Sequence, residues 1–506
     1  MWRVKSLDAV LATAEKKTLR RSLGPVQLTM LGIGGVIGTG IFVLTAEAAQ
    51  KAGPGMMLSF IIAGAVSACA ALCYAELASM VPVSGSSYTY TYTVLGELMA
   101  WMVGWALVLE YAVAASAVSV GWSGYVVGLL ANLPHPIIIP PELAAGPYAG
   151  GVVNLLAVFI ALVITTLLVI GTRESATVNA CLVAIKLVAL GAFIWLALPV
   201  MNSGNFHPFL PNGWGTMGVI GAASSIFFGY VGFDAVSTAA EETKNPQRNL
   251  PIGLIASLSI CTVIYLLVAA GVIGSYGAQP VYGPAGEALE PGSMAFQAQC
   301  STLVTQPLAC SREALAHVLR SIHHPLVGNL LGLAAGLALP TVILMMIFGQ
   351  TRIFFVMARD GLLPEVLSSV HPRFRTPHVV TWITGIAVAF GGAFLPVGQL
   401  ADFSNSGTLF GFAMVSLSVL VMRYTQPGRR RPFRAPLLWL FSPLAVLGCV
   451  MLFFFLPWQA KLLFPIWSAI GLVFYFSYGY RHSHVGRGIT EVPELDKDAP
   501  PGPLST

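Results

Sequence analysis

The sequence predicts an all-α integral membrane protein of about twelve transmembrane helices. Three observations carry that reading: very little charge, a succession of apolar runs of bilayer length, and two glycine-rich interruptions five runs apart. Of 506 residues, 56% are hydrophobic and 9% charged, whereas a soluble domain carries about 25% charged residues. That is too little charge to cover a water-facing surface, so much of the outside must meet lipid.

An apolar run of about 20 residues crosses roughly 30 Å of hydrocarbon. Such runs fall at 25–50, 55–80, 97–131, 148–171, 176–200, 213–241, 250–276, 326–357, 377–395, 398–423, 436–457 and 459–481. The third and eighth are long enough to tilt or to project from the bilayer. Residues 1–24 form a polar, basic tail without the apolar core and cleavage site of a secretory signal. Residues 485–506, with Pro500, Pro501 and Pro503, read as a disordered tail.

Basic residues set the orientation. With the N-terminus inside, inside segments hold 21 Lys and Arg, among them Arg3, Lys5, Arg173, Arg352, Arg375, Arg423 and Lys497. Outside segments hold four: Lys51, Arg312, Arg320 and Lys461. Both tails are then cytoplasmic. The net charge of +5 reports topology, so no nucleic-acid partner is expected. Arg429, Arg430 and Arg431 read as a positive-inside anchor beside membrane lipids.

Five of the seven cysteines, Cys69, Cys73, Cys181, Cys261 and Cys449, lie in apolar runs as small packing residues. Cys69 and Cys73 share a helix face, but no second pair or histidine supports a metal, and no cofactor is expected. Cys300 and Cys310 lie together in the long outside loop, 277–325, a partly ordered lid or spacer. An oxidising compartment permits a disulfide there, and the sequence leaves the pairing open. No Gly-x-Ser-x-Gly, His-Glu-x-x-His or Walker pattern points to an enzyme.

The first run contains Gly32, Gly34, Gly35, Gly38 and Gly40 within nine residues, a costly composition for a helix. Close packing through small residues needs glycines on one face. Gly34 and Gly38 fit that, while Gly35 and Gly40 point elsewhere, so an unwound segment is expected. The sixth run is interrupted by Gly229, Gly232 and Asp234. Broken segments at corresponding positions of two halves point to a transporter site. Unwinding exposes N–H groups that favour an anion at the start of one half-helix. It also exposes C=O groups that favour a cation at the end of the other. The α-carboxylate and α-ammonium of an amino acid match that pair.

At these breaks the sequence resembles the amino acid–polyamine–organocation superfamily and, within it, the cationic amino acid transporter family. The resemblance is carried by Gly38-Thr39-Gly40-Ile41-Phe42, Tyr74 to Ala78, Pro82 to Tyr88, Phe228 to Thr238, Asn245 to Pro251, and Gly349 to Arg352 through Asp360 to Pro364. These segments cover about 25–425 in order. Having twelve spans, the chain is similar to the bacterial members, which implies a bacterial inner (plasma) membrane.

The resemblance also implies a leucine-transporter-like, five-helix inverted repeat. Helices 1–5 would occupy 25–200, helices 6–10 would occupy 213–423, and accessory helices 11–12 would occupy 436–481. By position, the substrate carboxylate would meet the amides of Thr39 and Gly40 and the Thr39 hydroxyl. The ammonium would meet the carbonyls of Val36, Phe228, Gly229 and Val231, with Phe228 also gating the site from outside.

Lys186 lies ten residues into its run, about 15 Å deep at 1.5 Å per residue. A lysine there costs at least about 2.5 kcal/mol, too much for an idle residue. In related transporters a fifth-helix lysine takes the place of a sodium ion. Lys186 is therefore expected to be a proton-linked switch, bonded near Ile33–Gly35 and Pro340–Thr341. Glu110 on the third run would be its partner. Asp234 is expected to hold the shape of the break, and Glu76 to be structural.

By position in the family it resembles, the pocket walls would be Ala114, Val231 and Leu339 or Ala338, all apolar. A charged substrate would need a counter-charge, so proton-coupled uptake of neutral L-amino acids such as alanine is expected. The alternatives are a carrier or exchanger of arginine, lysine or ornithine, and an amino acid sensor built on a transporter fold. Oligomeric state is not legible in the sequence.

Overall fold

The structure is a computed structural model that describes residues 4–5, 23–83, 85–171, 176–374 and 376–488. Among the described residues, nine helices are long and apolar enough to cross a membrane, and three shorter apolar helices accompany them. Together they make the twelve spans of a multi-pass membrane protein. The basic residues Arg3, Lys16, Lys17, Arg20, Arg21, Arg173, Arg375 and Lys497, and the tail beyond 488, lie outside the described residues.

Span 1 comprises Pro25–Val36, Thr39–Phe42 and Leu44–Ala52, and span 2 is Met56–Met80. Spans 3, 4 and 5 are Glu97–Ala131, Leu155–Ile170 and Ala176–Ala197. Span 6 is Val219–Ile226, a 3-10 turn at Phe227–Tyr230, and Ala235–Thr238; span 7 is Pro246–Tyr276. Spans 8 to 12 are Pro325–Arg359, His378–Phe394, Val397–Thr425, Leu438–Phe455 and Trp458–Phe474. Span 6 begins six residues later than its apolar run, because the chain turns at Gly213 (φ +65°). The ends follow local chemistry. Gly171 (φ +84°) closes span 4, and Pro246, which needs no amide partner, opens span 7.

Span 5 shows how the bundle sorts its residues. Val188 and Trp195 are 72% and 79% exposed, an apolar face for lipid. Val183, Leu190 and Phe193 are buried on the other side, and Lys186 turns inward with them. The helix rotation, more than depth alone, denies Lys186 an escape to the interface.

Spans 1 and 6 run antiparallel. Leu23, just before span 1, pairs with Thr243, just after span 6. The first half of span 1 packs on Ala235–Thr238, and Thr39–Phe42 packs on Phe227–Tyr230. The breaks therefore meet in the middle, with spans 3, 8 and 10 packed around them.

The 277–325 loop is more folded than its composition suggests. It contains the helices Met294–Thr302 and Ala314–Ser321, and Cys300 is bonded to Cys310. Gln50 of span 1 holds it: the amide donates to the carbonyls of Val281 (2.7 Å) and Leu289 (3.0 Å) and accepts from Val281 N–H (2.8 Å).

On the opposite side, Glu76 accepts from Arg423 (2.9 and 2.7 Å) and from Ala435 N–H (2.9 Å). Arg431 lies 3.3 Å from Glu76 with its side chain only 2% exposed. Arg431 therefore belongs to this buried network and not to a lipid-facing anchor.

Candidate functional site

The break in span 1 is shorter than the glycine run suggests. The helix continues through Gly32, Gly34 and Gly35 to Val36. Ile37 (ψ 93°) and Gly38 (φ −145°, ψ −146°) leave it, helix resumes for one turn at Thr39, and Val43 (φ −121°, ψ −50°) interrupts it once more before Leu44. The other glycines serve close packing, the role set aside in the sequence reading. A Cβ on Gly32 would lie 2.4 Å from Ser257 Oγ of span 7, and on Gly34 it would lie 2.9 Å from Val183 of span 5. On Gly35 it would lie 2.9 Å from the Gly232 carbonyl, and on Gly40 it would lie 2.1 Å from Gly229 Cα. Their scatter around the helix, which argued for unwinding, reflects neighbours on several sides.

Span 6 breaks differently. The 3-10 turn ends at Tyr230, Val231 is extended (φ −67°, ψ 141°), and Gly232 takes φ +112°, a conformation that disfavours side chains. A single Gly232 thus turns the chain back into helix at Ala235 while lying against Gly35.

A small cavity lies between the breaks. It is lined by Gly35, Val36, Gly38, Thr39, Gly40, Ala114, Val118, Phe228, Val231, Val342 and Met346. The breaks thus bring together Val36, Thr39, Gly40, Ala114, Phe228 and Val231. Gly229 is packed behind Gly40 and does not line the cavity. Leu339 and Ala338 are buried one turn too early on span 8, where Val342 and Met346 take the wall. Sequence spacing could not set the axial register of span 8 against span 1.

Thr39 is fully buried, and its hydroxyl has no hydrogen-bond partner among the described residues. Gly121 of span 3 makes room for it, since a Cβ there would lie 2.7 Å from Thr39 Cγ2.

Tyr265 of span 7 escaped the sequence reading. Its hydroxyl lies 2.8 Å from both the Val36 and the Gly229 carbonyls, one from each break. Phe60 and Tyr230 pack against its ring edge-on or tilted. A buried tyrosine hydroxyl demands a polar partner, and that was the available signal. Tyr265→Phe is expected to lower the unfolding midpoint in detergent by several degrees, because unpaired buried carbonyls cost on the order of 1–3 kcal/mol. An unchanged midpoint would mean that these bonds contribute nothing to closing the breaks.

Beyond Phe228, toward the 277–325 loop, Lys51 donates to Ser225 Oγ (2.6 Å) and sits 3.6 Å from Asp402, which accepts from Ser225 at 2.6 Å. Lys51, counted as an outside residue by charge, is 3% exposed and belongs to this closure.

Lys186 donates to the Gly34 carbonyl at 3.0 Å, within the expected stretch. Thr341 instead donates to Ala338 of its own helix (2.8 Å). Glu110 lies against span 10, with Ser404 donating to its backbone carbonyl (3.1 Å). Asp234 takes the Tyr111 hydroxyl at 3.2 Å. No metal-holding group of three His, Cys, Asp or Glu occurs among the described residues.

A bundle of membrane spans whose two broken helices meet at one central cavity is the architecture of a membrane transporter. The amino acid permease family model matches residues 23–476, and the chain belongs to that family. It is a permease and not an enzyme. It is 43% identical to a branched-chain amino acid permease of Bacillus subtilis, over 96% of this chain and 99% of the relative. A methylthioribose transporter of the same organism is 39% identical, over 96% and 98%. A vacuolar cationic amino acid transporter of Arabidopsis thaliana is 34% identical, over 81% of this chain and 64% of the relative.

Proposed function

We propose that the protein carries neutral aliphatic L-amino acids into a bacterial cell by proton-coupled symport, from the inner membrane and with both tails in the cytoplasm. The observation that carries the substrate class is the cavity wall. Ala114, Val118, Val231, Val342 and Met346 are apolar, and no charged side chain lines the cavity. An arginine or lysine side chain would be stripped of water there without a counter-charge. The branched-chain name of the 43% identical relative supports this reading.

In it, the first amides after the span-1 break, at Thr39 and Gly40, and the Thr39 hydroxyl meet the carboxylate. Carbonyls at the ends of the interrupted halves, Val36 and Val231 with Phe228 and Gly229, receive the ammonium once Tyr265 yields. Lys186 is the switch that grips or frees the span-1 break. The repeats 25–200 and 213–423 rock against each other around this centre.

The cationic alternative is favoured by the 34% identical relative, and Asp234 would be its counter-charge. Competition uptake separates the two. Leucine, isoleucine, valine and alanine are expected to compete for transport in reconstituted vesicles, while a tenfold excess of arginine or lysine leaves it unaffected. The reverse ranking would remove the neutral assignment. Binding without accumulation would instead mark a sensor.

A further inference from the structure

Span 1 is interrupted a second time, one turn beyond the glycine break. Val43 (φ −121°, ψ −50°) ends the turn Thr39–Phe42 and begins Leu44–Ala52. In an unbroken helix the Phe42 carbonyl would take the Ala46 amide. That amide goes to the Val43 carbonyl (3.1 Å), and the Phe42 carbonyl accepts from the Tyr125 hydroxyl of span 3 (2.8 Å). Across the interruption, the Thr45 hydroxyl donates to the Ile41 carbonyl (2.6 Å). Residues 41–45 contain neither glycine nor proline. Bonds to side-chain hydroxyls therefore account for this break, not backbone permissiveness.

Tyr125 is fully buried, and its ring meets the Phe42 ring edge-on with centroids 5.8 Å apart. One turn earlier on span 3, Gly121 admits both sides of the interruption. A Cβ there would lie 2.7 Å from Thr39 Cγ2 and 3.2 Å from Val43 Cγ2.

The pieces on either side of Val43 are held by different neighbours. Thr39–Phe42 lies on span 3 and on Phe227–Tyr230. Leu44–Ala52 lies on the first half of span 6, Val219–Ile226, and on Leu308–Cys310 of the 277–325 loop. It also carries Gln50, bonded to that loop, and Lys51, bonded to Ser225. Span 3 is in turn packed along spans 8 and 10. The main-chain bond from Ala46 to Phe42 that would resist a bend at Val43 is already replaced by one to span 3. Leu44–Ala52 can then change its tilt while the turn that presents the Thr39 and Gly40 amides stays seated.

We propose that Tyr125 is a positioning residue of the substrate site, clamping the turn Thr39–Phe42 to span 3, and that Val43 is the joint at which Leu44–Ala52 tilts away from that turn. The proposal rests on the permease reading, in which the Thr39 and Gly40 amides meet the carboxylate, and adds to it a joint beyond the glycine break. The anion site keeps its place on span 3 while the piece bearing Gln50 and Lys51 moves.

Hydrogen exchange read by mass spectrometry on the full chain in lipid nanodiscs tests the joint without any substitution. Every residue from Thr39 to Ala52 carries an amide N–H. Leu44–Ala52 is expected to exchange at least about tenfold faster than Thr39–Phe42, because a piece that tilts on its own also opens on its own. One common rate across 39–52, or a faster turn at Thr39–Phe42, overturns the joint.

Tyr125→Phe keeps the ring on Phe42 and removes the hydroxyl. In liposomes with radiolabelled leucine, its KM is expected to rise about tenfold or more, since the amides that meet the carboxylate lose their seat. Its maximal rate is expected to stay within about twofold, the split that marks lost binding. Exchange at Thr39–Phe42 is expected to rise to the rate of Leu44–Ala52. An unchanged KM overturns the clamp, whatever the maximal rate does. Should the variant fold poorly, the wild-type exchange rates decide the clamp as well, since an unclamped turn would exchange together with Leu44–Ala52. Failure of wild type to take up any neutral amino acid would instead refute the substrate reading, and the exchange pattern would still decide the joint.

Discussion

Replacing Gly40 with alanine is expected to abolish leucine uptake, with a fall of at least tenfold at protein levels matching wild type. The added methyl would stand 2.1 Å from Gly229 Cα and 2.9 Å from its nitrogen. Both are backbone atoms, so no rotamer change can relieve the contact, unlike the clash of Gly32 with Ser257 Oγ. The two broken helices would be pushed apart at the cavity, and 1 Å of misplacement in a preorganised site is enough to cost about a hundredfold in function. Initial uptake rates in vesicles check this. Gly411, where an added Cβ meets nothing within 4 Å, provides the control: Gly411→Ala should transport like wild type. Equal loss in both would point to general misfolding and not to the contact.

Lys186→Ala is expected to eliminate pH-driven accumulation while leaving a folded carrier. The residue is 1% exposed and donates to Gly34 within the first half of span 1. Lys186→Met keeps the stem and its packing, so a matching loss there assigns the effect to the charged end. Accumulation against an imposed pH gradient decides the matter; an unchanged proton dependence in both variants would sink the role of Lys186 as the switch.

What was legible in the sequence divides along physical lines. Spans were readable because lipid forces about 20 apolar residues per crossing, and spans 3 and 10 match their predicted limits within two residues. The existence of both breaks was readable because glycine and an acid are costly in a helix. The extent of the first was not. The glycine run suggests a longer unwound stretch, whereas Gly32, Gly34 and Gly35 stay helical and admit spans 7, 5 and 6. Composition tells that glycine is needed, but only packing tells whether the backbone or a neighbour needs it.

The wall residues show the same limit. Ala114 and Val231, placed by the resemblance, line the cavity. Leu339 was placed on the correct face but one turn away from Val342, because nothing local fixes how far span 8 slides along span 1. Tyr265 answers carbonyls on two other spans, 229 and 36 positions away. No periodicity reports such pairings.

The Gln50 contacts with the 277–325 loop bear on the proposed rocking of the repeats. The carbonyls of Val281 and Leu289 and the Val281 amide are all tied to one side chain on the second half of span 1. If that half-helix swings as the repeats rock, it must either carry the disulfide-bridged loop through water or first break three bonds. The loop would then be ballast on a hinge, and the rate of opening would be adjustable at residues that never touch the cargo.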